Sequence, residues 1–161
     1  MNQSSSEKMR AAARLPPDEP SLRVSSGIAP RRGRLLVLED ELPLARAILR
    51  WFRDYDVTHC ASMGDAVARI VAGEHFDAVL CDVMMPGGNA PDVYAALLRE
   101  APELVDQILF MTGGATTAET MAFVAAHSAQ VVTKPIDLAE LRRRVSALVD
   151  GRPLAREGSS S

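Results

Sequence analysis

Five side chains in this sequence are suited to chemistry on a charged, oxygen-rich group, and each stands at the end of an apolar run. Glu39 and Asp40 follow Leu35-Leu36-Val37-Leu38, Asp82 follows Ala78-Val79-Leu80-Cys81, Thr112 follows Ile108-Leu109-Phe110-Met111, and Lys134 follows Val131-Val132-Thr133. Three carboxylates brought together are costly and raise one another's pKa unless a cation neutralises them. A hard divalent ion with oxygen ligands removes that cost, and Mg²⁺ suits a site that keeps waters and adds a phosphate oxygen. An aspartate beside it can attack a phosphoryl donor and form an acyl phosphate. Thr112 offers a hydroxyl to a phosphoryl oxygen, and Gly113-Gly114 leave backbone free to approach closely. Lys134 is the only lysine after Lys8 in a chain that otherwise uses arginine. A compact ammonium and a planar guanidinium are not interchangeable where a small anion must be met. Pro135 after it restrains its backbone. Taken singly, Glu39-Asp40 reads as helix N-terminal acids, Thr112 as a turn residue and Lys134 as a surface lysine. Taken together they read as one site.

Those positions need elements that bring them to one place. Apolar runs of strand length, at 35–39, 55–60, 77–81, 106–111 and 129–133, alternate with segments of helical period. Pro43 suits a first helical turn, with Leu44, Ile48 and Leu49 on one face. Ser62 is expected to cap a helix that turns Val67, Ile70 and Val71 inward. Asn89 followed by Pro91 opens a third helix with Val93, Leu97 and Leu98 inward, and Thr116 with Glu119, then Asp137 with Glu140, have capping-box spacing for a fourth and fifth. Five strands alternating with five helices predict an α/β fold with a mainly parallel sheet, since parallel neighbours need a crossover. Ligands of such sheets bind at the carboxyl ends of the strands, where all of the polar positions above fall.

The bulk numbers restrict the function. A chain of 161 residues with 47% apolar and 24% charged residues suits one domain with a proper core. The net charge of -3 divides unevenly: residues 1–34 contribute about +4 and the remainder about -7. An acidic body argues against nucleic acid as the ligand. Residues 1–33 and 151–161, rich in Ser, Pro, Arg and Gly, read as disordered or linker segments on either side of a domain at 34–150. No apolar stretch reaches membrane length, and none at the N-terminus resembles a secretory core, so a cytoplasmic protein with no membrane partner is expected. Cys60 and Cys81 read as buried thiols, His59, His75 and His127 as structural or surface residues without ligand spacing, and Arg142-Arg143-Arg144 as a solvated helix face.

Between about 34 and 150 the chain resembles the receiver domain of two-component response regulators. The resemblance is carried by the acid pair Glu39-Asp40, the stretch Asp82-Val83-Met84-Met85-Pro86, Thr112 and Lys134-Pro135, all in family order and spacing. It implies a flavodoxin-like fold with strand order 2-1-3-4-5 and five helices on both faces. It further implies that Asp82 takes a phosphoryl group from a histidine kinase or histidine phosphotransfer protein. Glu39, Asp40, Asp82 and the Met84 carbonyl would hold Mg²⁺, and Thr112 and Lys134 would contact the phosphoryl group and carry the conformational change. Ala90 stands where the family usually has glycine, which implies an altered start to the third helix. Val131 stands where many members have an aromatic, which puts the usual threonine–aromatic switch in doubt. With about eleven residues after Asp150, output is expected through a downstream protein partner, a phosphorelay or a parent kinase, with a homodimer as one form of it. Arg14-Leu15-Pro16-Pro17 resembles the end of a kinase catalytic domain. Two other classes compete: a pseudo-receiver that binds without phosphorylation, and an aspartyl-phosphate phosphatase of the haloacid dehalogenase type. The second expects an aspartate where this chain has Met84.

Overall fold

The structure is a computed structural model that describes residues 32–152. The expectations for residues 1–31 and 153–161, including the linker, the tail and the Arg14–Pro17 resemblance, lie outside those residues.

Five strands form the main sheet: β1 (Arg34–Leu38), β2 (Asp56–Cys60), β3 (Ala78–Asp82), β6 (Ile108–Thr112) and β7 (Val131–Thr133). Their order is β2-β1-β3-β6-β7, and every pairing is parallel. Counting main-sheet strands alone, this is the expected order 2-1-3-4-5. The helices are α1 (Leu42–Trp51), α2 (Met63–Val71), α3 (Ala90–Glu100), α4 (Ala118–Ala126) and α5 (Leu138–Val149). Between β3 and α3 lies a small antiparallel hairpin, β4 (Met84–Met85) with β5 (Gly88–Asn89), which the sequence reading missed. Gly87 takes a φ of 81° at its turn, a conformation costly for any residue with a Cβ.

Because strands buried on both faces show no alternation, each of the central ones is almost entirely apolar. Alternate residues nonetheless enter different cores. Leu36, Leu38, Val79, Cys81, Ile108 and Phe110 pack under α2 and α3, with Phe123 of α4 against them. Leu35, Val37, Leu80, Leu109 and Met111 pack under α1 and α5, where Ile48, Leu49, Leu141, Val145 and Leu148 close the layer.

Start signals held at four helices of the five. Pro43 lies in the first turn of α1, and Ser62 caps α2 by accepting from the Asp65 amide. Asn89 and Asp92 form a reciprocal capping box on α3, and Asp137 caps α5 through the amides of Ala139 and Glu140, although the Glu140 carboxylate bonds Arg143 instead of closing the expected box. At α4 the cap is Thr117 with Thr120, not Thr116 with Glu119, because Thr120 is the residue that can turn inward and is fully buried. Three further expectations are corrected. Val71 and Leu98 are 59% and 53% exposed, since Ala66 and Ala96 take inward positions on the same helices. The arginine run is not a plain solvated face. Arg142 pairs both carboxylate oxygens of Asp54 and donates to the Trp51 carbonyl, and Arg144 donates to the carbonyls of Val131 and Ala129.

The packing yields two expectations. Phe110→Ala should lower the unfolding free energy by about 3–5 kcal/mol, whereas Leu98→Ala should change it by no more than about 0.5 kcal/mol; urea denaturation compares the two. The second concerns acid. The hydrogen bond from Arg142 holds the Asp54 carboxyl below its ordinary 3.8, against a smaller opposing effect of burial. Its contribution is therefore present above pH 3.8 and lost as pH falls through the lowered folded value. Asp54→Asn should destabilise at neutral pH by a modest amount, given a 38% exposed side chain, and the gap to wild type should close as the pH is taken below that range.

Candidate functional site

The carboxyl ends of β1, β3, β6 and β7 meet at one edge of the sheet, and the expected residues stand there. Glu39 and Asp40 follow β1, Asp82 ends β3, Thr112 ends β6 and Lys134 follows β7. Adjacent β1 and β3 place the acids together, and Lys134 reaches back across β6 on its long stem. Its Nζ donates to Asp82 Oδ2 at 2.9 Å and to Glu39 Oε2 at 3.2 Å. The Lys134 backbone amide donates to the Thr112 carbonyl at 2.7 Å, so the same residue ties three strand ends.

Glu39 is fully buried and Asp82 nearly so, whereas Asp40 is exposed. Carboxylate oxygens of the three lie within 4.8 Å of one another. At that separation a pair of like charges costs on the order of 3 kcal/mol at an effective dielectric of about 20. Burial pushes the Glu39 carboxyl above its ordinary range, and the Asp82 charge adds to that, while the Glu41 amide and Lys134 oppose it. For Lys134 burial disfavours the ammonium, but its bonds to Asp82 and Glu39 outweigh that and raise its pKa. Three carboxylates against one ammonium leave negative charge uncompensated. An all-oxygen donor set of this kind, partly open to solvent through Asp40, fits a hard divalent cation.

The remaining expected residues are close but differently engaged. The Met84 amide donates to Asp82 Oδ1 at 3.2 Å, which steadies the carboxylate from below. Thr112 Oγ1 accepts from the Gly114 amide at 3.1 Å, so the hydroxyl proton is left for another acceptor. Cys81 is buried beneath the site, where desolvation first and the neighbouring acids second raise its pKa and keep it a thiol.

Two participants were not read into the site from the sequence: Glu41 was not singled out, and His59 was read as a structural or surface residue. Glu41 brings a further carboxylate to 3.9 Å from Lys134 Nζ, and its amide donates to Glu39 Oε1 at 3.0 Å. His59, near the end of β2, is buried with its Nε2 2.7 Å from the Glu39 carbonyl. Glu41 could have been found as the next acid in an acid run. His59 offered no such signal, since Cys60 ends the second strand and the partner of His59 is a backbone carbonyl.

Comparison with known proteins agrees with this geometry. The family model for the response regulator receiver domain matches residues 35–146. The transcriptional regulatory protein TcrA of Mycobacterium tuberculosis is 30% identical over 146 residues, covering 86% of this chain and 56% of TcrA. The response regulator protein PmrA of Pseudomonas aeruginosa is 28% identical over 116 residues, covering 71% of this chain and 52% of PmrA. The chain thus spans about half the length of these curated relatives. A CheY-like response regulator receiver domain protein from Methanospirillum hungatei, 22% identical, superposes with a TM-score of 0.62 over 73% of this chain and 94% of that one, which shows a common fold. A domain match of this extent, on a sheet whose strand ends gather those acids and that lysine, means that the chain belongs to the response regulator receiver domain family of two-component systems.

Proposed function

We propose that this domain accepts a phosphoryl group on Asp82 from a phosphohistidine of a histidine kinase or histidine phosphotransfer protein, and passes the change to a protein partner. The observation that carries the reading is Lys134 Nζ bridging the buried Asp82 and Glu39 carboxylates. In the transfer, a lone pair of an Asp82 carboxylate oxygen forms the new O–P bond, the P–N bond to the donor imidazole breaks, and its electron pair returns to the nitrogen. Glu39, Asp40, Asp82 and the Met84 carbonyl would hold Mg²⁺. When bound, the ion neutralises charge on the carboxylates and on the phosphoryl oxygens.

The chain's own residues do the rest. The Met84 amide orients the Asp82 carboxylate. Thr112, with its hydroxyl proton uncommitted, donates to a phosphoryl oxygen. Lys134 turns from two carboxylates toward the phosphoryl oxygens, keeping its backbone bond to Thr112. Met84 supplies no second carboxylate, which disfavours phosphatase chemistry on small molecules. The intact acid pair and lysine disfavour a pseudo-receiver. Among the described residues no helix is long and apolar enough to cross a membrane, and a cytoplasmic location belongs to this reading. The output partner belongs to it as well, whether a phosphorelay protein or a second copy of the chain.

Incubation with Mg²⁺ and acetyl phosphate should add one phosphoryl mass to wild type, acid-stable and base-labile, and nothing to Asp82→Asn. Intact mass spectrometry decides, and an unmodified wild type would sink the reading in favour of a binding module. Removing the ammonium leaves buried like charges facing each other. Lys134→Met should therefore lower stability by about 3 kcal/mol in metal-free buffer, and adding Asp82→Asn should recover part of the loss. Additive losses in urea denaturation would mean that the pair is not coupled.

A further inference from the structure

Glu39 and Asp40 owe their aim to a backbone that β2 grips from both sides. The Glu39 amide donates to the Cys60 carbonyl at 3.2 Å, and the Glu39 carbonyl lies 2.7 Å from His59 Nε2. A carbonyl only accepts, so the nitrogen facing it carries the proton and donates. His59 is 1% exposed, and its other nitrogen, Nδ1, is buried with no hydrogen-bond partner among the described residues. Among the described residues, that bond is the ring's single hydrogen bond. For packing alone this is a poor choice of residue, because an apolar side chain would fill the space with no orphaned nitrogen.

The bond acts at a particular place. A peptide unit is planar, so holding the Glu39 carbonyl also holds the Asp40 nitrogen in the same plane. One donor thereby limits both the ψ of Glu39 and the direction in which Asp40 leaves the strand. Glu39 is turned back over the sheet toward Lys134 and Asp82, while Asp40 faces solvent at the rim of the same cluster. We propose that His59 is a positioning residue for the cation, setting the separation of the Glu39 and Asp40 carboxylates through the peptide between them. The inference rests on reading those acids as the metal site.

His59→Phe keeps a ring of similar size and removes the donor, whereas His59→Gln keeps an amide N–H within reach of the carbonyl. Titration calorimetry with Mg²⁺ alone should show His59→Phe binding at least tenfold more weakly than wild type, which is about 1.4 kcal/mol, with His59→Gln within about threefold of wild type. Acetyl phosphate should still modify Asp82 in His59→Phe once Mg²⁺ is raised to saturation. In wild type, the ¹⁵N spectrum of His59 should show the Nε2-protonated tautomer and should shift when Mg²⁺ is added. That measurement decides the matter if His59→Phe does not fold. Equal affinity of His59→Phe and wild type, equal weakening in the Phe and Gln variants, or a His59 signal blind to Mg²⁺ would each overturn the positioning role alone. A wild type that binds no Mg²⁺ would overturn the metal reading beneath it.

Discussion

One ammonium between two buried carboxylates sets the terms for everything at the carboxyl edge of this sheet. Without Lys134, Glu39 and Asp82 would confront each other in a region from which burial has removed most of the water that could screen them. With it, the pair is held but the account is not balanced, because Asp40 and Glu41 add charge at the rim. An arrangement so short of positive charge is one that gains from a cation and from a change in what the lysine contacts. The chain's preference for arginine elsewhere sharpens this. A guanidinium would present a rigid fork to two separately placed oxygens, whereas a primary ammonium on a flexible stem can leave one acceptor for another at little geometric cost.

That interaction exists only because of the topology. A parallel sheet sends all five strands toward the same edge, and the crossovers between them put a layer of helices on each face. Leu80 and Leu109 on one face, and Val79 and Phe110 on the other, lock β3 against β6 from both sides. The strand ends are thus rigid where the loops beyond them are not required to be. Asp82 needs no loop to hold it, since it is still in the ladder, opposite Met111.

How much of this was legible in the sequence follows from whether the signal was local. The strand-end residues could be read because an apolar run that stops at a charge marks both the strand and its end. Asn89 and Asp137 could be read because a cap is a contact with residues two or three positions away. Val71 and Leu98 misled because helical periodicity fixes a face only to within a residue, and alanines took the inward places. The hairpin at Met84–Asn89 escaped because two-residue strands carry no periodicity. His59 escaped for a deeper reason. Its partner is a backbone carbonyl twenty positions away, and a carbonyl leaves no trace in residue type. Arg142 and Arg144 are alike in this respect, since what distinguishes them from a solvated stripe is the backbone oxygens and the distant Asp54 that receive them.

The same distinction bears on how a change at the site leaves it. Lys134 is bonded at both ends, its ammonium to Asp82 and its amide to the Thr112 carbonyl, so one residue joins the carboxylate cluster to the β6–β7 edge. Val131, at the other end of β7, is β-branched and strongly limited at χ1, and it cannot turn between inward and outward positions as a ring can. Its carbonyl is held by Arg144 of α5, and its side chain rests against the core that contains Phe110. Rotamer exchange at position 131 is thus a poor carrier. The short β7 strand, three residues long, is tied at one end to the Thr112 carbonyl through the Lys134 amide and at the other to α5 through Arg144. In this chain the strand itself, and not a single ring, joins the lysine of the carboxylate cluster to the fifth helix.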